Sequence, residues 1–360
     1  MTWVAAVFRV PYVAPVLKRR KIPVNLRSLF LGGSVLALGS PVLADHMGPS
    51  GFGAGGGLTV FGPETMDSGH WAAGLRLAYT QPKRRSNEQL EALAEVGVAA
   101  HNTDYNLNAS LGVAYGINHH VTLSAELPYV RRNNLREADD GEVKRLGSVA
   151  GIGDLNLLAK YRLTDGETSG LALIGGLKLP TGSTDKASIT GERLETEHQP
   201  GTGSWDPIFG ASASTRLGTV QLTASALYQL TTTGAQHTRL GERVQGGVAL
   251  SHHFGEPSPG ELEGHNHHHG DELDDNHEQS RSSWDAFVEL AGEWEGRQKI
   301  RGETEQASGG EWAWVAPGVR FNAASGWSAT AGVAIPLWQE IRASHPDNRY
   351  RVVLSLGQAF

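Results

Sequence analysis

From about residue 70 onward, apolar and polar residues alternate with a period of two, and this limits the possible folds more than any other feature. "VTLSAELPYV" sets Val121, Leu123, Ala125, Leu127 and Tyr129 on one face, with Thr122, Ser124 and Glu126 on the other. "DLNLLAKYRL" sets Leu155, Leu157, Ala159, Tyr161 and Leu163 against Asp154, Asn156, Lys160 and Arg162. "VQLTASALYQL" repeats the pattern from Val220 to Leu230. Twelve such segments start near Trp71, Tyr105, Val121, Asp154, Leu171, Pro207, Val220, Val244, Trp284, Trp312, Trp327 and Tyr350. Each is about long enough to cross a bilayer as a tilted strand, and an even number suits a single-chain barrel.

A soluble β-sandwich also alternates. Three features favour an all-β, transmembrane, antiparallel up-and-down β-barrel of about 12 strands. Aromatic residues cluster at the ends of the apolar faces: Trp71, Tyr79, Tyr105, Tyr115, Tyr129, Tyr161, Tyr228, Trp284, Trp294 and Trp327. Two interfacial girdles need aromatics there. The last segment, "YRVVLSLGQAF", ends on Phe360 in phase with Tyr350, Val352, Leu354 and Leu356. A terminal aromatic of this kind resembles the signal read by the barrel assembly machinery, which is therefore an expected partner. Finally, the connections alternate in length. Those beginning near 80, 132, 181, 232, 297 and 339 are the longer ones, and 116–120, 164–170, 218–219 and 323–326 are short. Long outside and short inside is the barrel pattern. Residues 255–283 break it, because a short periplasmic turn is due there. The mean hydropathy of −0.30 is no objection, since a barrel averages its lipid and lumen faces.

The first 44 residues read as an N-terminal extension plus a signal peptide. Arg9, Lys18, Arg19, Arg20, Lys21 and Arg27 supply positive charge without one acid. "SLFLGGSVLAL" follows as the apolar region, and "SPVLA" ends in a small-residue cleavage pattern before Asp45. Residues 45–360 are then the barrel of a secreted precursor bound for the bacterial outer membrane. Total charge is −7 with no basic stripe, so nucleic acid is not an expected partner. With no cysteine, disulfides and thiolate metal sites are excluded.

Four motifs narrow the reading: Gly153-Asp154-Leu155, Lys160-Tyr161-Arg162, Lys178-Leu179-Pro180-Thr181-Gly182 and Gly201-Thr202-Gly203-Ser204. Together with the opening "ETMDSGHWAAGLRLAY", they resemble a family of outer-membrane barrels linked by name to the phenol meta-cleavage degradation pathway and described as transporters. The resemblance covers most of 64–254 and, more weakly, the C-terminal strands. It implies an outer-membrane channel for small solutes, with aromatic or other hydrophobic compounds as one possible cargo.

The histidine-rich stretch "HNHHHGDELDDNHE" at 265–278 is not part of that pattern. His265, His267, His268, His269 and His277 offer imidazoles, and Asp271, Glu272, Asp274 and Asp275 offer carboxylates. Such donors suit a divalent Zn, Cu, Ni or Co ion, which links the chain to metal homeostasis or export. A solvated linker is the alternative, and the spacing fits no closed structural or catalytic zinc site. No cofactor is required by any motif. Asp45-His46-Met47 could hold copper as a free terminus, although with one His and one Met an ordinary processed terminus is the favoured reading.

Charged residues on the polar strand faces must point into the lumen. These are Arg76, Glu126, Asp154, Lys160, Arg162, Lys178, Arg216, Asp285, Glu289 and Glu293. They either rigidify a filled barrel or line a solute path. The glycine-rich "GPSGFGAGGGLTVFGP" (48–63) could tuck into the barrel mouth as a plug, and it lacks the Lys and Ser/Thr of a phosphate-binding loop. An outer-membrane lipid hydrolase is the alternative of another class. His252 or His253 with Ser251 or Ser212 would be its candidates, and none of these pairings is compelling, so no enzyme is expected.

Overall fold

The computed structural model describes residues 56–98, 100–139, 141–166, 168–254, 282–342 and 345–360. All twelve alternating segments are strands, starting within two residues of the positions read from the sequence. They are β1 (Trp71–Pro82), β2 (Tyr105–Asn118), β3 (Val121–Asp139), β4 (Leu155–Asp165), β5 (Ser169–Leu179) and β6 (Asp206–Leu217). β7 (Val220–Gln229), β8 (Arg243–Phe254), β9 (Ser283–Glu295), β10 (Gly310–Asn322), β11 (Trp327–Ile341) and β12 (Asn348–Ala359) follow. Each pairs antiparallel with its chain neighbours, and β1 pairs with β12, so the sheet closes into a barrel without a free edge. Trp71 and Phe360 exchange backbone hydrogen bonds of 2.8 and 2.9 Å at the seam. No helix among the described residues is long and apolar enough to cross a membrane.

Side chains sort by parity. Leu75, Leu111, Leu127, Leu157, Leu173, Leu250, Leu290, Leu354 and Leu356 lie on the outside, exposed, as a lipid-facing belt must be. Aromatic pairs mark both rims. Trp71 stacks near Tyr115 and Trp284 near Phe321 at the short-turn end, while Tyr79 lies near Tyr105 and Tyr350 at the long-loop end.

The long connections are folded. β3 runs past the bilayer, and its outer half pairs with a strand at Glu142–Ile152 and with Ala100–Asn102. A short helix, α1 (Asn87–Glu95), packs Leu90 and Ala94 against Ala100 and Ala138 of that sheet. Ser86 and Gln89 close its N-terminus reciprocally, each side chain bonding the other's backbone.

Candidate functional site

A segment of the chain itself crosses the interior. Residues 56–68 run through the lumen from the short-turn end, where Thr65 Oγ1 donates to the carbonyl of His119 and Met66 N donates to Thr122 Oγ1. Lys160 Nζ donates to the carbonyls of Gly62 (2.9 Å) and Glu64 (3.0 Å), and Ser212 Oγ also reaches Gly62. Across the barrel, Glu289 accepts from Thr59 N (2.9 Å), Val60 N (3.2 Å) and the Thr59 hydroxyl. Arg76 donates to the carbonyl of Leu58 and Arg320 to that of Gly56. Strand-borne charges thus satisfy the backbone of an irregular segment inside the membrane span, the only setting where such backbone is tolerated. Gly57 lets Glu289 come this close, since a Cβ there would lie 2.0 Å from Glu289 Oε2 and push the carboxylate aside. The sequence placed 48–63 at the barrel mouth. Its described part goes deeper, to mid-barrel, and 48–55 lie outside the described residues.

Two apolar clusters flank this segment. Leu58 joins Phe287, Trp312, Trp314 and Val353 on one wall, where Trp312 and Trp314 are fully buried and Arg351 lies over the Trp314 ring. Phe61 joins Leu158, Ile174, Ile208 and Leu227 on the other. A cavity of about 20 Å³ lies beside Phe61, Leu158 and Ile174, and another of about 30 Å³ lies beside Leu158, Ile208 and Leu227. The second cluster forms an inward-facing apolar strip beside two small cavities.

The motif residues meet in one buried knot. Lys178 Nζ lies 2.8 Å from Asp154 and 2.9 Å from Asp206, and it also reaches Thr202 Oγ1 and Ser204. Asp154 accepts from the backbone of Gly182 and Thr202 (2.9 and 2.8 Å). Gly182 and Gly201 touch directly, since a Cβ on Gly182 would stand 2.6 Å from the Gly201 Cα. The knot ties the long loop 180–205 to β4, β5 and β6.

At the long-loop end, His101, Glu197 and His198 are buried together, with His345 beside them. His101 Nε2 is 2.7 Å from Glu197 Oε1, and its Nδ1 is 3.1 Å from His198 Nε2. Burial opposes charge on His101, but the charge and hydrogen bond of Glu197 outweigh it and push its pKa up to about 9. Glu197 would be pushed up by burial, yet His101 holds it well below the usual carboxylate range. Burial and the neighbouring His101 keep His198 well below the usual imidazole value, and burial brings His345 down to about 4.

A sequence-family model described as "Putative MetA-pathway of phenol degradation" matches residues 89–287, more than half of the chain. The chain belongs to this family. Among curated proteins, none matches it. The COG4313 outer membrane channel from Pseudomonas putida F1 superposes with a TM-score of 0.56 at 16% identity, over 82% of this chain and 97% of that one. That likeness establishes the barrel fold. The beta domain of the Bordetella autotransporter BrkA (TM-score 0.43, 10% identity, 82% and 100% covered) and the Ralstonia pickettii toluene transporter TbuX (0.33, 9%, 86% and 96%) are more distant. Like other proteins of its fold, this family member is a bacterial outer-membrane barrel.

The family barrel buries Arg76, Glu126, Asp154, Lys178, Asp285 and Glu289 in the lumen, with Lys160 and Glu293 half-buried there. Arg216 corrects the sequence reading: it is exposed at the short-turn rim, because β6 ends beside it and a rim charge meets water. Arg162 is only half-buried near the same rim, its Nε donating to the carbonyl of Thr164. His265, His267, His268, His269, His277, Asp271, Glu272, Asp274 and Asp275 lie outside the described residues, as do Asp45, His46 and Met47. Of the residues named for the hydrolase alternative, His253 contacts Asp285 through Nδ1 at 2.8 Å and His252 contacts the carbonyl of Thr219 through Nδ1 at 2.9 Å. The His101 cluster was not visible in the sequence, since its members come from separate loops.

Proposed function

We propose that the protein is a narrow outer-membrane channel for small apolar solutes, single-ring aromatic compounds among them. One observation carries this reading: the inward apolar strip of Leu158, Ile174, Ile208 and Leu227, faced by Phe61 and bounded by cavities on both sides. An apolar solute gains by contact with such a strip. The family's link to phenol degradation agrees. The long-loop end faces the outside in this reading, and the histidine-rich stretch faces the periplasm.

Aromatic solutes leak through phospholipid bilayers, so intact cells with their lipopolysaccharide leaflet are the suitable test. A Gram-negative host making the protein should take up labelled phenol several-fold faster than the same host without it, with arabinose uptake unchanged. Equal phenol rates, or a gain for arabinose alone, would overturn the proposal.

The 265–278 stretch adds a metal-binding role to this proposal, on the strength of its donor density alone. Calorimetric titration with Zn²⁺ should show micromolar or tighter binding, on the order of −8 kcal/mol, that weakens when its five histidines become Ala. Equal binding by both forms would leave it a linker.

A further inference from the structure

The structure assigns a second, separate function to the long-loop end: we propose that His101, Glu197 and His198 form a divalent transition-metal site, best suited to Zn²⁺, that pins the outer loops over the barrel mouth. One donor atom from each of the three lies within 4.8 Å of the others. His198 Nε2 is 3.7 Å from Glu197 Oε1, and His101 Nε2 is 2.7 Å from the same oxygen. Around a tetrahedral ion with bonds of about 2.0–2.2 Å, neighbouring donors stand roughly 3.3–3.5 Å apart, so small side-chain adjustments suffice. Two imidazoles and a carboxylate also match the three-ligand set of sites that keep one position open.

The surroundings fit an ion. With His101 Nε2 as ligand, its Nδ1 lies 3.7 Å from Glu137, a carboxylate placed to orient the ring and strengthen it as a donor, while His198 Nε2, now 3.1 Å from that Nδ1, turns toward the ion. The His345 ring lies 5.6 Å from that of His101. A cavity of about 30 Å³ is lined by His101, Glu197, His198 and His345, which is room for one ion or water. Arg132 and Arg85 bring positive charge, but they are spent on backbone: Arg132 donates to the carbonyls of His198 and Gln199, and Arg85 to that of His345. Glu137 and Glu195 gather beside His198 and offset them.

The ligands come from the loop after β1 and the loop after β5, with Glu137 on the extension of β3 and His345 on the loop after β11. One ion would therefore cross-link loops far apart in sequence. The site is distinct from the 265–278 stretch, whose flanking strands β8 and β9 meet at the short-turn end. The rival occupant is a proton shared between His101 and Glu197, which would dock the loops equally well without metal.

The experiment uses refolded protein with His265, His267, His268, His269 and His277 changed to Ala, which silences the other candidate site. It is titrated with Co²⁺, followed by visible absorption, and with Zn²⁺ by calorimetry. One equivalent should bind with a micromolar or lower Kd, and Zn²⁺ should slow trypsin cleavage after Arg193 in the loop that carries Glu197. His198→Ala and Glu197→Gln should weaken binding by at least about tenfold, ~1.4 kcal/mol, whereas His237→Ala should not. Heat-modifiable migration reports folding of each variant. Should either variant misfold, the proteolysis readout on the silenced parent decides. Absence of binding, binding that leaves cleavage after Arg193 unchanged, or affinity indifferent to both folded variants would overturn the site.

Discussion

Lys178 shows how a single residue organises this barrel. Its amine is fully buried between Asp154 and Asp206, and three of the four motifs, those around Asp154, Lys178 and Thr202, contribute to that knot. The sequence displayed the motifs without displaying their meeting, because Asp154, Lys178 and Thr202 stand more than twenty residues apart. Lys178→Met would leave two carboxylates buried without a counter-charge. Breaking a buried pair in this way costs about 3–5 kcal/mol. Urea unfolding in lipid vesicles should show a loss of that size; a stability equal to the parent's would mean the knot is dispensable. The inward tryptophans were equally hidden. Trp312 and Trp314 obey the same parity as any strand residue, and nothing in their spacing says that this face is the lumen rather than the lipid side.

Strands were legible as elements because one face of each meets lipid and the other protein, which enforces the period of two on every one of them. The loops were not, since α1 and the outer sheet hold together through contacts between distant segments. Their His101 cluster sets a pH window. His101 is raised, so its contribution to docking is complete below about 6.5 and is lost as pH climbs through about 9. His198 and His345 are lowered, so they are neutral when docked; their contribution is complete above about 6.5 and fades as pH falls, through about 4 for His345. Glu197 is lowered, and its contribution is lost only further into acid. A nitroxide on Thr190→Cys, possible in a chain without cysteine, should be least mobile between these limits with chelator present. Mobility constant from mildly acidic to alkaline pH would show that the cluster does not dock the loops. At the seam, Phe360 bonds Trp71 through the backbone while its ring faces outward, exposed. Deleting it should lower the yield of heat-modifiable barrel in cells, and an unchanged yield would remove Phe360 from the assembly signal.

For the whole molecule, parity, an even strand count and alternating connections specified a closed barrel, and the structure has that form. Which side each end faces follows from loop length alone. Maleimides too large to cross the outer membrane should therefore label Thr190→Cys, and not Asp274→Cys, in intact cells; the reverse would invert the topology. The sequence suggested a plug at the mouth but not how deep it reaches, because residues 56–63 are glycine-rich and carry no periodic signal. Their hydrogen bonds to Lys160, Glu289 and Arg76 hold them across the lumen, where they would be the constriction of the proposed channel. Single-channel conductance in planar bilayers tests this most directly. The refolded parent should pass a small current, and a variant lacking residues 56–63 should pass several-fold more. Equal conductance, in two proteins shown to be folded, would contradict the account of a channel narrowed by its own N-terminal segment.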